Sequence, residues 1–145
     1  MPHFTIQISP DGPLLDAYVA VSQARLVALQ TAKQPIPPAQ KIRAIIDTGA
    51  SCTCIDPSVL QALNLQPTGN ILMNTASSGN MPHPTDVYDV GITIPGATAP
   101  PLLFATVPVA KTQLLQQHGF HALIGRDILG TCVFHYNGPL QQITV

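Results

Sequence analysis

The sequence predicts an all-β fold with a few short helices, closed or nearly closed into a barrel. Three observations predict it. Fifteen prolines and ten glycines in 145 residues cut the chain into pieces too short for a helical bundle. Between those breaks apolar residues recur in strand-length runs, as where Phe4, Ile6 and Ile8 share one face. Hydrophobic residues make up 46% of the chain, so the strands have a real core to build, and 145 residues fit one domain over residues 1–145. Closing the sheet removes the exposed edges that such a chain would otherwise carry.

Each element has its own signal. Residues 4–9 read as a strand turned by Asp11-Gly12-Pro13, and residues 14–21 as a second strand. From Ser22, a candidate N-cap, Ala24, Val27 and Ala28 with Leu26 and Leu29 keep helical spacing to about Lys33, where Gln34-Pro35-Ile36-Pro37-Pro38 stops it. Residues 41–46 form a strand that delivers Asp47, and residues 52–55 a shorter one. Asp56-Pro57 opens a helix through Leu60 and Leu63, with the aspartate as cap and the proline at the first helical position. Residues 71–75 and 87–94 are two strands joined across a polar stretch rich in turn formers, and residues 102–109 are another strand. Residues 113–118 suit a helical turn ended by Gly119, and residues 122–124 a short buried strand running through Gly125-Arg126-Asp127 into a brief helix. Residues 132–145 read as a hairpin turned at Asn137-Gly138.

Composition removes several function classes. Only 9% of residues are charged and the net charge is -1, so no basic stripe exists to neutralise nucleic-acid phosphates. Cys52 and Cys54 would share a face of a strand, but no further ligands follow at a metal-binding spacing. His3, His83, His118, His121 and His135 are scattered. No metal and no other cofactor is expected, and the two thiols read as small core-facing groups. Three cysteines, an odd number, point to a reducing compartment. The start, MPHFTIQISPDG, lacks the charged head and apolar block of a signal peptide, and no apolar run approaches a membrane span. The expected home is the cytoplasm, away from membranes.

The chemistry concentrates in residues 44–51, Ala-Ile-Ile-Asp-Thr-Gly-Ala-Ser. An ionised carboxylate set against aliphatic side chains is costly unless something pairs with it or it takes up a proton. Asp47 is therefore either an acid in an ordinary strand-end turn or a reactive group placed on purpose. Thr48 can hydrogen-bond, Gly49 lets backbone or ligand come close, and Ala50 keeps the space open. Residues 122–129, Ala-Leu-Ile-Gly-Arg-Asp-Ile-Leu, are a second apolar strand running into glycine and a short helix.

Together the two strings resemble the retropepsin-like aspartic proteases, over about residues 40–136. The resemblance implies a retropepsin-like closed barrel with a β-hairpin flap, and a catalytic loop of Asp47, Thr48 and Gly49 on the floor of a cleft. Leu123-Ile124-Gly125 would pass beside that loop. Ala50, Ser51, Leu123 and Ile124 would contact substrate, as would Ser78 and Gly79 from a flap of about residues 72–87. Gly125, Arg126 and Asp127 would be structural, the last two as an ion pair holding two loops. In viral members the position of Ser51 often carries an aspartate that pairs with the helix arginine; Asp127 or Asp56 would take that part here. Leu123 and Ile124 are core residues first, and Ser77, Ser78 and Gly79 can equally be an ordinary hairpin tip.

Peptide hydrolysis needs a general base and a general acid together. Two nearby carboxylates cannot both ionise cheaply, so they share a proton and titrate as a pair; the aspartic-protease dyad is the standard case. The chain carries one Asp-Thr-Gly, so its second aspartate would be Asp47 of another copy in a two-fold homodimer acting on polypeptides. The alternative is a catalytically silent dimeric module of the same fold that grips a peptide by strand addition or serves only for dimerisation.

Overall fold

A computed structural model describes residues 3–75 and 79–145. Strands β2 (Leu14–Val21), β3 (Gln40–Ile46), β8 (Ala122–Ile124), β4 (Cys54–Ile55), β7 (Leu102–Lys111), β6 (His83–Ile94) and β5 (Gly69–Met73) form one sheet in that spatial order. β2 also pairs with β6, from Tyr18↔Thr93 to Val21↔Val90, which closes six of the strands into a barrel. β5 is left outside the ring as the outer arm of the β5–β6 hairpin. A second, three-stranded sheet joins β1 (Thr5–Gln7), β10 (Gln142–Thr144) and β9 (His135–Asn137), and so ties the two chain ends together.

The barrel interior follows from strand alternation. Ala17 and Val19 on β2, Ile42, Ala44 and Ile46 on β3, and Val90, Ile92 and Ile94 on β6 are all buried, while their neighbours face outward. Two strand pairs are parallel, β3 with β8 and β4 with β7. The first is the one that matters for the site: Ile46 sits opposite Ile124, so the chain leaves β3 into Asp47 beside the exit of β8 into Gly125.

Among the described residues four short helices fill the gaps. In α1 (Gln23–Thr31) the Ser22 side chain accepts from Arg25 N at 3.3 Å, as its N-cap reading requires. α2 (Pro57–Ala62) starts at Asp56 with Pro57 in its first turn and buries Val59 and Leu60. α3 (Leu115–His118) ends at Gly119, whose φ of 77° only glycine adopts without cost. α4 (Arg126–Leu129) follows Gly125 directly. Among the described residues no helix is long and apolar enough to cross a membrane.

Two sequence expectations need correction. The β5–β6 arms run over Gly69–Met73 and His83–Ile94 rather than residues 71–75 and 87–94. Four of the five β5 residues are exposed, so there was no apolar alternation to read. The terminal hairpin does not turn on Asn137-Gly138 alone. A two-residue turn there would need an N–H from residue 139, which is proline. Asn137 instead pairs with Gln142 across a four-residue loop, with Leu140 N on Asn137 Oδ1 at 3.1 Å. That hairpin belongs to the small sheet and does not help close the barrel.

Candidate active site

The loop after β3 is built around the Asp47 carboxylate. Asp47 N donates to Ile124 O at 3.0 Å, which pins the residue to β8. Gly49 N donates to Asp47 Oδ1 at 2.9 Å and Ala50 N to Asp47 O at 3.2 Å, so the chain folds back over its own acid. Asp47 is half-buried, and among the described residues its Oδ2 has no hydrogen-bond partner. Thr48 and Gly49 are exposed.

The loop is held from α4. Arg126 N donates to Ala50 O, and Arg126 Nη1 to Thr48 O, both at 2.9 Å. Asp127 receives Thr53 N at 2.9 Å on one oxygen and the Thr53 hydroxyl at 2.7 Å on the other. Thr53 Oγ1 in turn accepts from Gly125 N at 3.1 Å. The expected ion pair is therefore replaced by two separate duties: the arginine holds a neutral carbonyl and the aspartate holds Thr53. Asp56 serves neither, because its oxygens are taken by Ser58, Leu114 and Leu115. Gly125 has a steric reason to be glycine, since a Cβ there would meet the Cys52 backbone carbonyl at 2.6 Å.

A cleft of about 620 Å³ opens over Asp47. Gly49, Ala50, Ser51 and Leu123 line it, together with Cys52 and Cys54. Met73, Asn74 and Thr75 come from the β5–β6 hairpin, and Thr112, Gln113, Leu114, Gln117 and His118 from the opposite wall. Other expected contacts fall elsewhere. Ile124 is only 1% exposed and packs in the barrel, because alternation on β8 turns Leu123 outward and Ile124 inward. Gly79 is exposed and outside the lining, and Ser78 lies outside the described residues, as does Ser77. Among the described residues Asp47 is the one carboxylate in the lining, and none of them group into a metal site of three or more ligands.

The profile of the aspartyl protease family matches residues 38–128, which takes in both the Asp47 loop and α4. The chain belongs to the aspartyl protease family. Its fold is that of a retropepsin-like aspartic protease from Rickettsia conorii, with a TM-score of 0.59 at 16% identity over 99% of this chain and 89% of that one. The simian foamy virus protease aligns with a TM-score of 0.48 at 16% identity, over 81% of this chain and 91% of that one. No curated protein sequence matches significantly.

Two parts of this aspartyl protease were not visible as site residues in its sequence. Thr53 is fully buried and joins three backbone segments, yet a threonine in a short strand carries no local mark of that role. The wall from Thr112 to His118 reaches the cleft because Asp56 Oδ2 holds Leu114 N and Leu115 N, each at 2.9 Å. Burial alone would raise the Asp56 pKa, but the amides of Leu115, Leu114 and Ser58 and the Ser58 hydroxyl outweigh it and bring it down to about 2. Cys54 goes the other way: burial above all pushes its thiol up to about 12, against a hydrogen bond with Thr112, so it stays protonated and unreactive.

Proposed function

We propose that the protein is an aspartic endopeptidase that hydrolyses peptide bonds as a homodimer, with one Asp47 from each subunit. The observation that carries the reading is the Asp47 carboxylate on the cleft floor, with Oδ2 uncommitted and no second carboxylate in the described lining. One carboxyl cannot be base and acid at once, so the missing group comes from a second copy. The exposure of Thr48 and Gly49 beside Asp47 supports contact with that copy.

In the dimer the two carboxyls share one proton. The ionised member takes a proton from a water molecule as its oxygen adds to the scissile carbonyl, and the protonated member donates to the carbonyl oxygen. Collapse of the tetrahedral species then expels the amine with a proton. The β5–β6 hairpin, which brings Met73, Asn74 and Thr75 over the cleft, acts as the flap that covers an extended substrate. Three free cysteines suit a reducing compartment, and we place the enzyme in the cytoplasm.

The test is cleavage of a mixed peptide library from about pH 3 to 7, wild type against Asp47→Asn. Wild type should cut best below neutrality and the variant should not cut. Mixing equal amounts of both chains should reduce activity per wild-type chain to about half, through dead heterodimers. Cleavage by the variant, or a mixture that loses nothing, would overturn the assignment. Peptide binding by wild type without cleavage would leave the silent module instead.

A further inference from the structure

We propose that His118 makes this site selective for peptides that carry a carboxylate side chain close to the scissile bond. The inference rests on the protease reading above and deepens it. Apart from Asp47, the described cleft lining consists of thiol, aliphatic, hydroxyl and amide groups, and His118 is the one among them that can become a cation. Of the neighbouring cations, Lys111 is paired with Asp86 at 3.0 Å in the adjoining cavity, and Arg126, which holds the Thr48 carbonyl, is not part of the described lining.

The imidazole is also held in place. It stacks on Phe120 with centroids 5.5 Å apart and planes inclined by 13°. Phe120 packs in turn against the buried group of Cys54, Ala110 and Leu114. His118 N bonds to Leu114 O at 2.8 Å, and Leu114 N is fixed by Asp56, so the residue hangs from an anchored turn. One ring face is covered while the ring edge is free: among the described residues neither ring nitrogen has a hydrogen-bond partner. A cation-capable group with a fixed ring and open N–H positions at a peptide cleft fits a glutamate or aspartate side chain.

The groups that face His118 leave it as the one cation-capable group of this wall. Asp47 lies in the same cleft, Cys52 and Cys54 are thiols of its wall, and Gln113, Gln117 and Phe120 are neutral. Asp56, at the start of the same turn, is occupied by backbone amides. Histidine is the side chain that gains charge between pH 8 and 5, the range into which a shared-proton dyad brings activity. Two-fold symmetry gives each half of the cleft one His118, so an acidic residue should be favoured on either side of the bond cut.

The experiment compares paired peptides that differ only by Glu or Gln at one position, stepped across three residues on each side of the cleavage point. Cleavage is followed at about pH 5.5, where the glutamate side chain is charged. There wild type should favour one Glu position on each side of the bond over its Gln partner by about fivefold in kcat/KM, the size of a rim ion pair. The ratio should fall to about one in His118→Gln, and in wild type as salt is raised. His118→Arg should keep the ratio. Kd values of the same peptides on Asp47→Asn, alone and combined with His118→Gln, read the selection without cleavage. Selective binding without cleavage would sink the protease reading and keep this one. Equal use of Glu and Gln at every position, a preference that survives His118→Gln, or no peptide binding at all would overturn it.

Discussion

Asp56 should set both the stability of the fold and its acid limit. Its side chain is 4% exposed, yet its Oδ1 receives Ser58 N at 3.0 Å and Ser58 Oγ at 2.7 Å, and its Oδ2 receives the two amides at the start of α3. The fall in pKa from 3.8 to about 2 corresponds to about 2.4 kcal/mol of stability held by the ionised form. Because the folded pKa is the lower one, that contribution is complete above about pH 4 and is lost as the pH falls toward 2. Asp56→Asn keeps the shape but presents an amide NH2 to one of the two donor pairs, so donor faces donor. The variant should lose about 2–3 kcal/mol at pH 7, or roughly 7 °C in Tm for a chain of this size. Denaturant unfolding at one fixed protein concentration, repeated from about pH 7 to 2.5, checks both parts. The gap between wild type and variant should narrow at the acid end. A gap under about 0.5 kcal/mol at pH 7, or one that does not change with pH, would refute the assignment of these four bonds to a buried, ionised Asp56.

Gly125→Ala should cost about 2–4 kcal/mol or prevent folding, because the new methyl would meet the Cys52 backbone rather than a side chain that can move; thermal unfolding with circular dichroism reads this. Alkylation with iodoacetamide near pH 8, followed by mass spectrometry, should label the half-buried Cys52 and Cys132 well before Cys54, whose buried thiol stays protonated. Early labelling of Cys54 in the folded protein would contradict that placement. Asp47→Asn should leave unfolding nearly unchanged, since the amide oxygen can still accept from Gly49 N, so any loss of cleavage would belong to chemistry rather than folding.

What the sequence disclosed and what it hid divide by the range of the interactions. β2 and β8 were placed to the residue, and Ser22, Asp56-Pro57 and Gly119 marked helix ends, because alternation and caps act over two to four neighbours. The strand that delivers Asp47 was equally plain. The bonds that assemble the site around that loop span much longer separations: Thr53 to Asp127 across 74 positions and Arg126 to Thr48 across 78, with Asp56 to Leu114 across 58 setting the opposite wall. No local pattern marks such a partner, and charge alone misled, since it paired Arg126 with an aspartate when the open acceptor was a carbonyl. With Ser51 in place of an acid in the loop, the arginine turns to Thr48 O, and Asp127 is free to take both Thr53 donors. Gly125 is where the two scales meet. Its identity was readable as part of a motif, but the reason for it, a backbone 2.6 Å from where a Cβ would stand, exists only once β3 and β8 lie side by side and bring the Cys52–Thr53 turn across them.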